Sequence, residues 1–428
     1  MLDIRFILKN LDLVKENTRE RHIEADIDKA VALYQKLREE VGKLEGLQRR
    51  TNQIAEQFRV ADEMLREKLK SESNELKLTI PQLKTSITQL EKEYKSEMLK
   101  IPNLAAPEVP QGRDEVDNIP IKHFGNPTVF DFEPLDQIEL AARLDIVEFE
   151  AATKVVGQKF YFLKNEGVFL ELALVRYALD LAVRHGFTPM TTPEIARDDI
   201  IAASGFTPRG PESQIYGLAD SELSLIGTSE ITIGGFMAGV TIREEDLPVK
   251  IAGVSHCFRT EAGSYGRESR GLYRVHQFTK VELYQFVLPE MSRVVHEEIL
   301  EIEEKFYQSL KLPYRVLLIC KGDLGAPAYK KYDIEAWIPS MGTKGGYGEV
   351  TSASNCTDFQ ARRLGIRYKR ASTGKTDFVH TLNGTAVAVT RTMLAILENC
   401  QQRDGSVLIP EVLQPYIGFR SIESKRSR

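Results

Sequence analysis

The sequence predicts an α+β protein in two parts. Residues 1–105 form an antiparallel two-helix coiled-coil arm, and residues 106–428 form a domain built on an antiparallel β-sheet flanked by helices. Three observations predict this. The first hundred residues are rich in Lys, Glu, Leu and Gln, with glycine only at Gly42 and Gly46 and no proline before Pro81. Apolar residues recur there at 3–4 spacing in two blocks, the heptad signature of packed helices. Beyond the linker AAPEVPQG, short apolar runs and helical patterns follow without regular βαβ alternation, which favours an antiparallel sheet over a doubly wound parallel one.

In the arm, the first stripe is Ile27, Ala30, Tyr34, Leu37, Val41, Leu44, Ala55 and Phe58, interrupted at Gln48 and Thr51. The second is Leu69, Leu76, Ile80, Leu83, Ile87, Leu90 and Tyr94, with Ser73 as its weak point. The charged stretch Arg59–Lys68 separates them and carries no strong turn signal. Two helices of roughly 30–35 residues, about 50 Å each, would bury the stripes against one another. Pro81 inside the second stripe predicts a kink or local break. Lys36, Arg38, Lys43, Arg49, Arg50, Arg66, Lys68, Lys70, Lys77 and Lys84 can meet the phosphates of an elongated partner. Interleaved acids make a plain spacer or oligomerisation device the alternative.

The second part reads as helices at Leu135–Ala151, Phe169–Arg184, Glu290–Ser309 and Thr392–Gln402, with strand-like runs at Val249–Ser255, Val275–Val287 and Tyr314–Ile319. A hydrophobic fraction of 42 % is enough for a substantial core. The net charge of −5 excludes nothing, because RNA binding depends on local basic surface. Cys257, Cys320, Cys356 and Cys400 include no CxxC element and suit a reducing compartment. The start MLDIRFILKN is not a signal peptide, no transit-like segment precedes the arm, and no run is long enough to span a membrane. The glycine-rich phosphate loops GxGxxG and GxxxxGK[ST] are absent.

The chemistry concentrates in Cys257–Phe286, which reads as strand, long Gly/Arg/Ser loop, strand. Arg259 and Glu261 share a face before the loop; Arg274, His276, Phe278, Lys280 and Glu282 alternate after it. On adjacent antiparallel strands they converge. Arginines that clamp phosphates and a ring that stacks on a base suit a nucleotide. His256 and His276 read as structural, and Cys257 and Cys356 as packed thiols.

Phe258-Arg259-Thr260-Glu261 followed by Arg274-Val275-His276-Gln277-Phe278 resembles motif 2 of class II aminoacyl-tRNA synthetases, and GLYRVHQFTKVE is similar to the seryl-tRNA synthetases of bacterial or organellar type. His185-Gly186-Phe187 through Pro193 is similar to motif 1, Leu382-Asn383-Gly384-Thr385 through Arg391 to motif 3. Thr228-Ser229-Glu230 matches the serine loop, and Glu349-Val350-Thr351-Ser352, ahead of SNCTDFQARR, the metal and ATP strand. The resemblance spans roughly residues 1–419 and implies activation of L-serine with ATP and its transfer to tRNA(Ser), with tRNA(Sec) as a second candidate. It makes Arg259, Glu349 and Arg391 catalytic. Serine falls to Thr228, Ser229, Glu230, Arg259, Glu282, Asn383 and Thr385. ATP falls to Arg259, Thr260, Glu261, Arg274, Val275, Phe278, Glu349, Val350, Thr351, Ser352 and Arg391, with Mg²⁺ on Glu349 and Ser352 and no zinc. Within this set, Phe278 and Arg391 would sandwich the adenine and Val275 would contribute backbone contact only. It further implies a cytoplasmic homodimer joined through motif 1, without membrane association, whose arm grips the tRNA.

The departures are small. Motif 3 carries Ala386 and Ala388 where glycines are frequent, so those positions should be helical or extended. Thr385 replaces a frequent Ser. The loop Ala262–Gly271, with Arg267 and Arg270, should approach the acceptor end of the tRNA, and the tail Glu423–Arg428 should be disordered. Competing readings are a class II synthetase for threonine or proline, a silent paralogue that binds RNA, and a coiled-coil interaction protein.

Overall fold

The computed structural model describes residues 1–206, 214–262 and 271–425. The chain packs as two units, Met1–Pro102 and Asn103–Arg428.

The first unit holds α1 (Ile4–Lys9), α2 (Leu11–Glu20), α3 (Ile27–Phe58) and α4 (Glu63–Lys100). Asp26 caps α3 by accepting from the Lys29 amide, and Asp62 caps α4 from the Leu65 amide. Asp62 is the turn signal the charged stretch Arg59–Lys68 concealed: the turn is only residues 59–62. The two long helices run antiparallel, with Tyr34 and Tyr94 ring centroids 5.8 Å apart, Lys29 2.7 Å from Glu97, and Arg50 forked onto Glu72 at 2.6 and 2.7 Å.

The second stripe packs inward as read, from Leu69 to Leu90. The far end of the first does not. Ile54, with Leu47, packs against Leu69 and Leu76, whereas Ala55 and Phe58 face outward. Thr51 explains the difference. Its hydroxyl donates to the Leu47 carbonyl inside the helix, so it sits in the seam at little cost and the stripe runs on through Ile54. Pro81 does not break α4, which is continuous from Glu63 to Lys100. The carbonyl of Lys77, deprived of its helical donor, lies on the exposed side where water replaces the bond.

The second unit centres on an eight-stranded sheet of β1 (Ile119–Phe124), β2 (Thr188–Thr191), β3 (Val249–Phe258), β4 (Gln277–Val287), β5 (Tyr314–Leu318), β6 (Lys330–Ile338), β7 (Gly346–Thr357) and β8 (His380–Ala388). The spatial order is β1-β5-β6-β7-β8-β4-β3-β2. All pairs are antiparallel except β2 with β3. Helices α5 (Glu166–Arg184), α6 (Ser229–Phe236), α7 (Ser292–Ser309) and α8 (Val389–Asn399) flank it. The helix expected at Leu135–Ala151 is instead Gln137–Leu144, a short strand Val147–Glu148, and Glu150–Val155. Asp145 takes a left-handed conformation (φ 58°) and ends the first helix. Ala386 and Ala388 lie in extended β8.

Alternation divides the sheet. Val281, Leu283, Ile334, Ala353 and Leu382 join a core with α5 and α7 residues such as Leu174, Ile299 and Phe306. The other face takes Phe278, Lys280 and Glu282. Two bulges adjust which residues reach that face. In β7, Thr351 pairs with Ile334 but Glu349 with Glu335, so Val350 is the extra residue. In β8, Thr385 pairs with Glu282 but Val387 with Val281, so Ala386 is extra.

Leu69 is 2 % exposed in the arm's seam, so Leu69→Ala is expected to cost about 2–3 kcal/mol of arm stability. Phe58→Ala, on the exposed side, should change it by less than about 0.5 kcal/mol. Hydrogen exchange of the α3 and α4 amides in the full chain measures both; equal effects would contradict this register.

Candidate active site

The polar face of β3, β4, β7 and β8 floors a cavity of about 410 Å³ lined by Arg259, Phe278, Lys280, Lys331, Glu349, Ser352, Thr385 and Arg391, with Phe206 and Tyr273 on its walls.

Arg259 follows the end of β3. Its amide donates to the His276 carbonyl at 2.9 Å, which extends the β3–β4 ladder to the cavity rim. Its Nε donates to the Gly227 carbonyl, and its guanidinium lies 5.4 Å from the Phe278 ring centroid and 5.9 Å from that of Phe206. His276 returns a ring contact, Nδ1 at 2.9 Å from the Arg259 carbonyl, between Phe160 and Tyr216. His256 sets Nδ1 against Glu194. Both imidazoles therefore serve local structure.

Arg391, in the first turn of α8, binds Glu349 twice: Nη1 lies 3.1 Å from Oε2 and 3.0 Å from the carbonyl. Its guanidinium also covers Tyr273 at 4.9 Å, and both Phe278 and Arg391 line the cavity. Burial pushes the Glu349 carboxyl up, but Arg391, Lys331 and Arg259 outweigh it and hold the group down to about 2. Asp333, directly across from Ser352 in the β6–β7 register, pairs with Lys331 at 3.0 Å and is pushed up to about 7, mainly by burial. Glu261 has a positive φ of 48°, held by its amide donating to Gln214 Oε1, and its carboxylate lies 3.4 Å from Arg274.

The other end of the same face is a pocket of matched polar groups. Thr228 caps α6, its hydroxyl accepting from the Glu230 amide at 3.3 Å. Glu230 Oε1 accepts from Asn383 Nδ2 at 3.1 Å and from Gln360 Nε2. Burial, with the charge of Glu282 second, pushes Glu230 up to about 7. Glu282 is itself pushed up by burial, while adjacent Lys280 and the Thr385 hydroxyl, donating at 3.2 Å, work the other way.

Three expected residues have side chains that are buried or already committed, although Val350 and Thr351 still line the cavity. Ser229 is fully buried and donates its hydroxyl to the Gly253 carbonyl, which fixes α6 to β3. The Thr351 hydroxyl is committed to the Thr385 carbonyl and locks β7 to β8. Val350 is 1 % exposed and, like Val275, can offer only backbone. Thr260 donates its amide to the Gln214 carbonyl. Arg267 and Arg270 lie outside the described residues, as do residues 426–428 of the tail. Sequence reasoning missed Gln360, whose Oε1 accepts from Tyr284 and Thr381 while its amide holds Glu230. It also missed Lys331, Tyr273 and Phe206. Tyr273 and Gln360 lie inside the quoted runs GLYRVHQFTKVE and SNCTDFQARR, but no spacing singles them out, and Lys331 and Phe206 lie outside every motif; a glutamine inside an amphipathic turn gives no sign of being buried.

Among the described residues, no group of three or more His, Cys, Asp or Glu is arranged to hold a metal alone. Glu349, kept anionic, and Ser352 share one face through the Val350 bulge. Two hard oxygen donors of this kind fit Mg²⁺, which takes its remaining ligands from phosphates and water.

Two family descriptions match this chain: the seryl-tRNA synthetase N-terminal domain over residues 1–105, and the tRNA synthetase class II core domain (G, H, P, S and T) over residues 216–400. A serine–tRNA ligase from Rubrobacter xylanophilus is 52 % identical over the full length of both chains. One from Treponema denticola is 50 % identical over 99 % of this chain and all of its own. The chain belongs to the seryl-tRNA synthetases. Among solved structures, the seryl-tRNA synthetase from Pyrococcus horikoshii complexed with ATP superposes with a TM-score of 0.89 at 38 % identity over both full chains. The seryl-tRNA synthetase family thus accounts for both units, with bacterial relatives as the motif wording implies.

The raised Glu230 carboxyl makes a stability prediction. A carboxyl raised in the folded state stabilises the fold fully below its ordinary value of 4.5, and that contribution is lost as pH rises through about 7. Glu230→Gln should therefore stabilise the ligand-free protein at pH 8, by on the order of 1–3 kcal/mol, and change little at pH 4.5. Urea denaturation at the two pH values measures this; a pH-independent difference would contradict it.

Proposed function

We propose that this chain activates L-serine with ATP, giving seryl-adenylate and pyrophosphate, and transfers serine to the 3′ end of tRNA(Ser). The observation that carries this reading is one sheet face with two ends. Arg259, Glu349 and Arg391 form a charged end, and Glu230, Glu282, Asn383 and Thr385 a small hydrogen-bonding end.

In the first step the serine carboxylate attacks the α-phosphorus and pyrophosphate leaves. The nucleophile is already charged, so no base is needed, and catalysis is alignment plus charge stabilisation. Arg259 bridges the carboxylate and the α-phosphate. Glu261 meets the adenine amino group, with Thr260 and Val275 contributing backbone, and Arg274 takes the γ-phosphate. Phe278 and Arg391 hold the adenine by stacking and cation–π contact. Glu349 and Ser352 would hold Mg²⁺, which would supply neutralisation of phosphate charge. Glu230 accepts the α-ammonium, with Asn383 steadying its carboxylate. Thr228, Glu282 and Thr385 surround the hydroxyl. A site built to bond a hydroxyl rejects alanine by about 10⁴–10⁵, because its buried polar groups would go unpaired. Threonine is refused by sterics alone, a weaker sieve.

The arm supplies the tRNA contact on this reading: Lys36, Arg38, Lys43 and Arg49 on α3 and Lys68, Lys70, Lys77 and Lys84 on α4 would meet its phosphates. tRNA(Sec) is a second substrate by the same contact. The protein works as a homodimer through motif 1, supported by Phe169 and Leu172 of α5, which are 55 % and 59 % exposed. It acts in the cytoplasm, and no described helix is long and apolar enough to cross a membrane.

ATP–pyrophosphate exchange with each amino acid tests the reading. Exchange with serine alone is expected; exchange with threonine or proline instead, or with none, sinks it. Arg259→Ala should lower kcat by about 10²–10³. The KM for serine should fall as pH rises through about 7, where Glu230 gains the charge that holds the ammonium, and Glu230→Gln should flatten that profile.

A further inference from the structure

Among the described residues, the cavity holds one cation that no motif includes. Lys331 lies on β6, one step along the same face from Asp333, which stands directly across from Ser352. Its ammonium is therefore on the side of the cavity where Glu349 and Ser352 sit, and Lys331 lines the cavity with them.

The other cations there are already engaged. Lys280 is held by buried Glu282, and Arg391 by the side chain and carbonyl of Glu349. Arg259 is braced by the Gly227 carbonyl and two rings. Lys331 has a looser partner. It reaches a single oxygen of Asp333, Oδ2 at 3.0 Å, while Oδ1 of that buried carboxylate has no hydrogen-bond partner. A guanidinium would fork across both oxygens; an ammonium is a point charge on a flexible four-carbon stem that can swing between acceptors. A triphosphate brings several negative charges into a space whose only cavity-lining carboxylates, among the described residues, are Glu261 and Glu349.

We propose that Lys331 is a phosphate-binding residue of this site: its ammonium leaves Asp333 for a non-bridging oxygen of the ATP triphosphate and stays with the departing pyrophosphate. The inference rests on the ATP reading above. It assigns a contact outside motifs 1–3 to β6, a strand that otherwise pairs with β5 and β7.

Serine-dependent ATP–pyrophosphate exchange in the full chain tests it, with Lys331→Gln, Lys331→Arg and Asp333→Asn. Lys331→Gln should raise the KM for ATP and for pyrophosphate about tenfold and leave the KM for serine within about twofold. Lys331→Arg, whose guanidinium would fork onto both oxygens of Asp333, should recover only part of the loss. Asp333→Asn, which frees the ammonium, should leave the KM for ATP unchanged or lower. A merely structural ion pair predicts the opposite: Lys331→Gln and Asp333→Asn would lower Tm together and move all three KM values alike or none. That pattern overturns the proposal, as does a Lys331→Gln chain that fails to fold. If the unaltered chain shows no serine-dependent exchange, the ATP reading itself fails; if it is active and Lys331→Gln matches it, only the Lys331 assignment fails.

Discussion

Charge removed from water must be compensated, and the catalytic unit is organised around that demand. One face of the sheet carries Lys280 and Lys331 with Glu282, Asp333 and Glu349, and Arg391 reaches Glu349 from α8, so that each cation is within reach of its carboxylate. Breaking one member of such a pair leaves an uncompensated charge, which costs more than the pair contributes when intact. The pairs at Lys280 and Arg391 consequently hold side chains in place that would otherwise wander through solvent. Ionisation differs between the two ends. Glu349 is surrounded by three cations and stays anionic, whereas Glu230, pushed up by burial first and by the charge of Glu282 second, reaches about 7. The cavity thus has an end whose carboxylate stays charged and an end that acquires full charge only near neutrality.

The register of the sheet decides which residues take part. Glu349 and Ser352 are three apart, which on a regular strand puts them on opposite faces. The bulge at Val350 brings them together, and the Thr351 hydroxyl, turned to the other side, ties β7 to β8 through the Thr385 carbonyl. The bulge at Ala386 does the same for Thr385 and Ala388. Bulges re-aim side chains at the expense of ladder regularity. Here that irregularity coincides with both the metal candidates and the serine-hydroxyl candidates. The Val350 carbonyl, left beside the bulge, lies 3.5 Å from the buried Tyr307 hydroxyl, which also meets Thr392.

The arm obeys a simpler rule. Its seam is apolar and its rim charged, and its polar interruptions are satisfied locally: Thr51 on its own helix, Arg50 on Glu72, Glu97 between Lys29 and Lys100. Exposed pairs of this kind add little stability each. The burial of Leu69, Leu76, Ile87 and Leu90 holds the hairpin together, while the ion pairs set its alignment.

Much of this was legible in the chain itself. Heptad spacing gave the two long helices, because a 3.6-residue period forces apolar residues at that spacing onto one side. Alternation gave the hairpin of β3 and β4 with Arg259, Phe278, Lys280 and Glu282 on one face, because a strand's period is two. Local order by itself also gave the family resemblance, since motif residues keep their sequence positions. What only the tertiary structure decided lies where distant segments meet. Gln360 reaches Glu230 and Lys331 borders the nucleotide cavity because packing places them there, and no local period announces it. The fates of Ser229 and Thr351 belong to the same class: a hydroxyl reads the same in sequence whether it faces a ligand or a neighbouring carbonyl, and only the opposing strand chooses. Pro81 shows the converse, since the sequence rule for proline assumes a carbonyl that cannot find water, and its position on the exposed side of α4 removes that assumption.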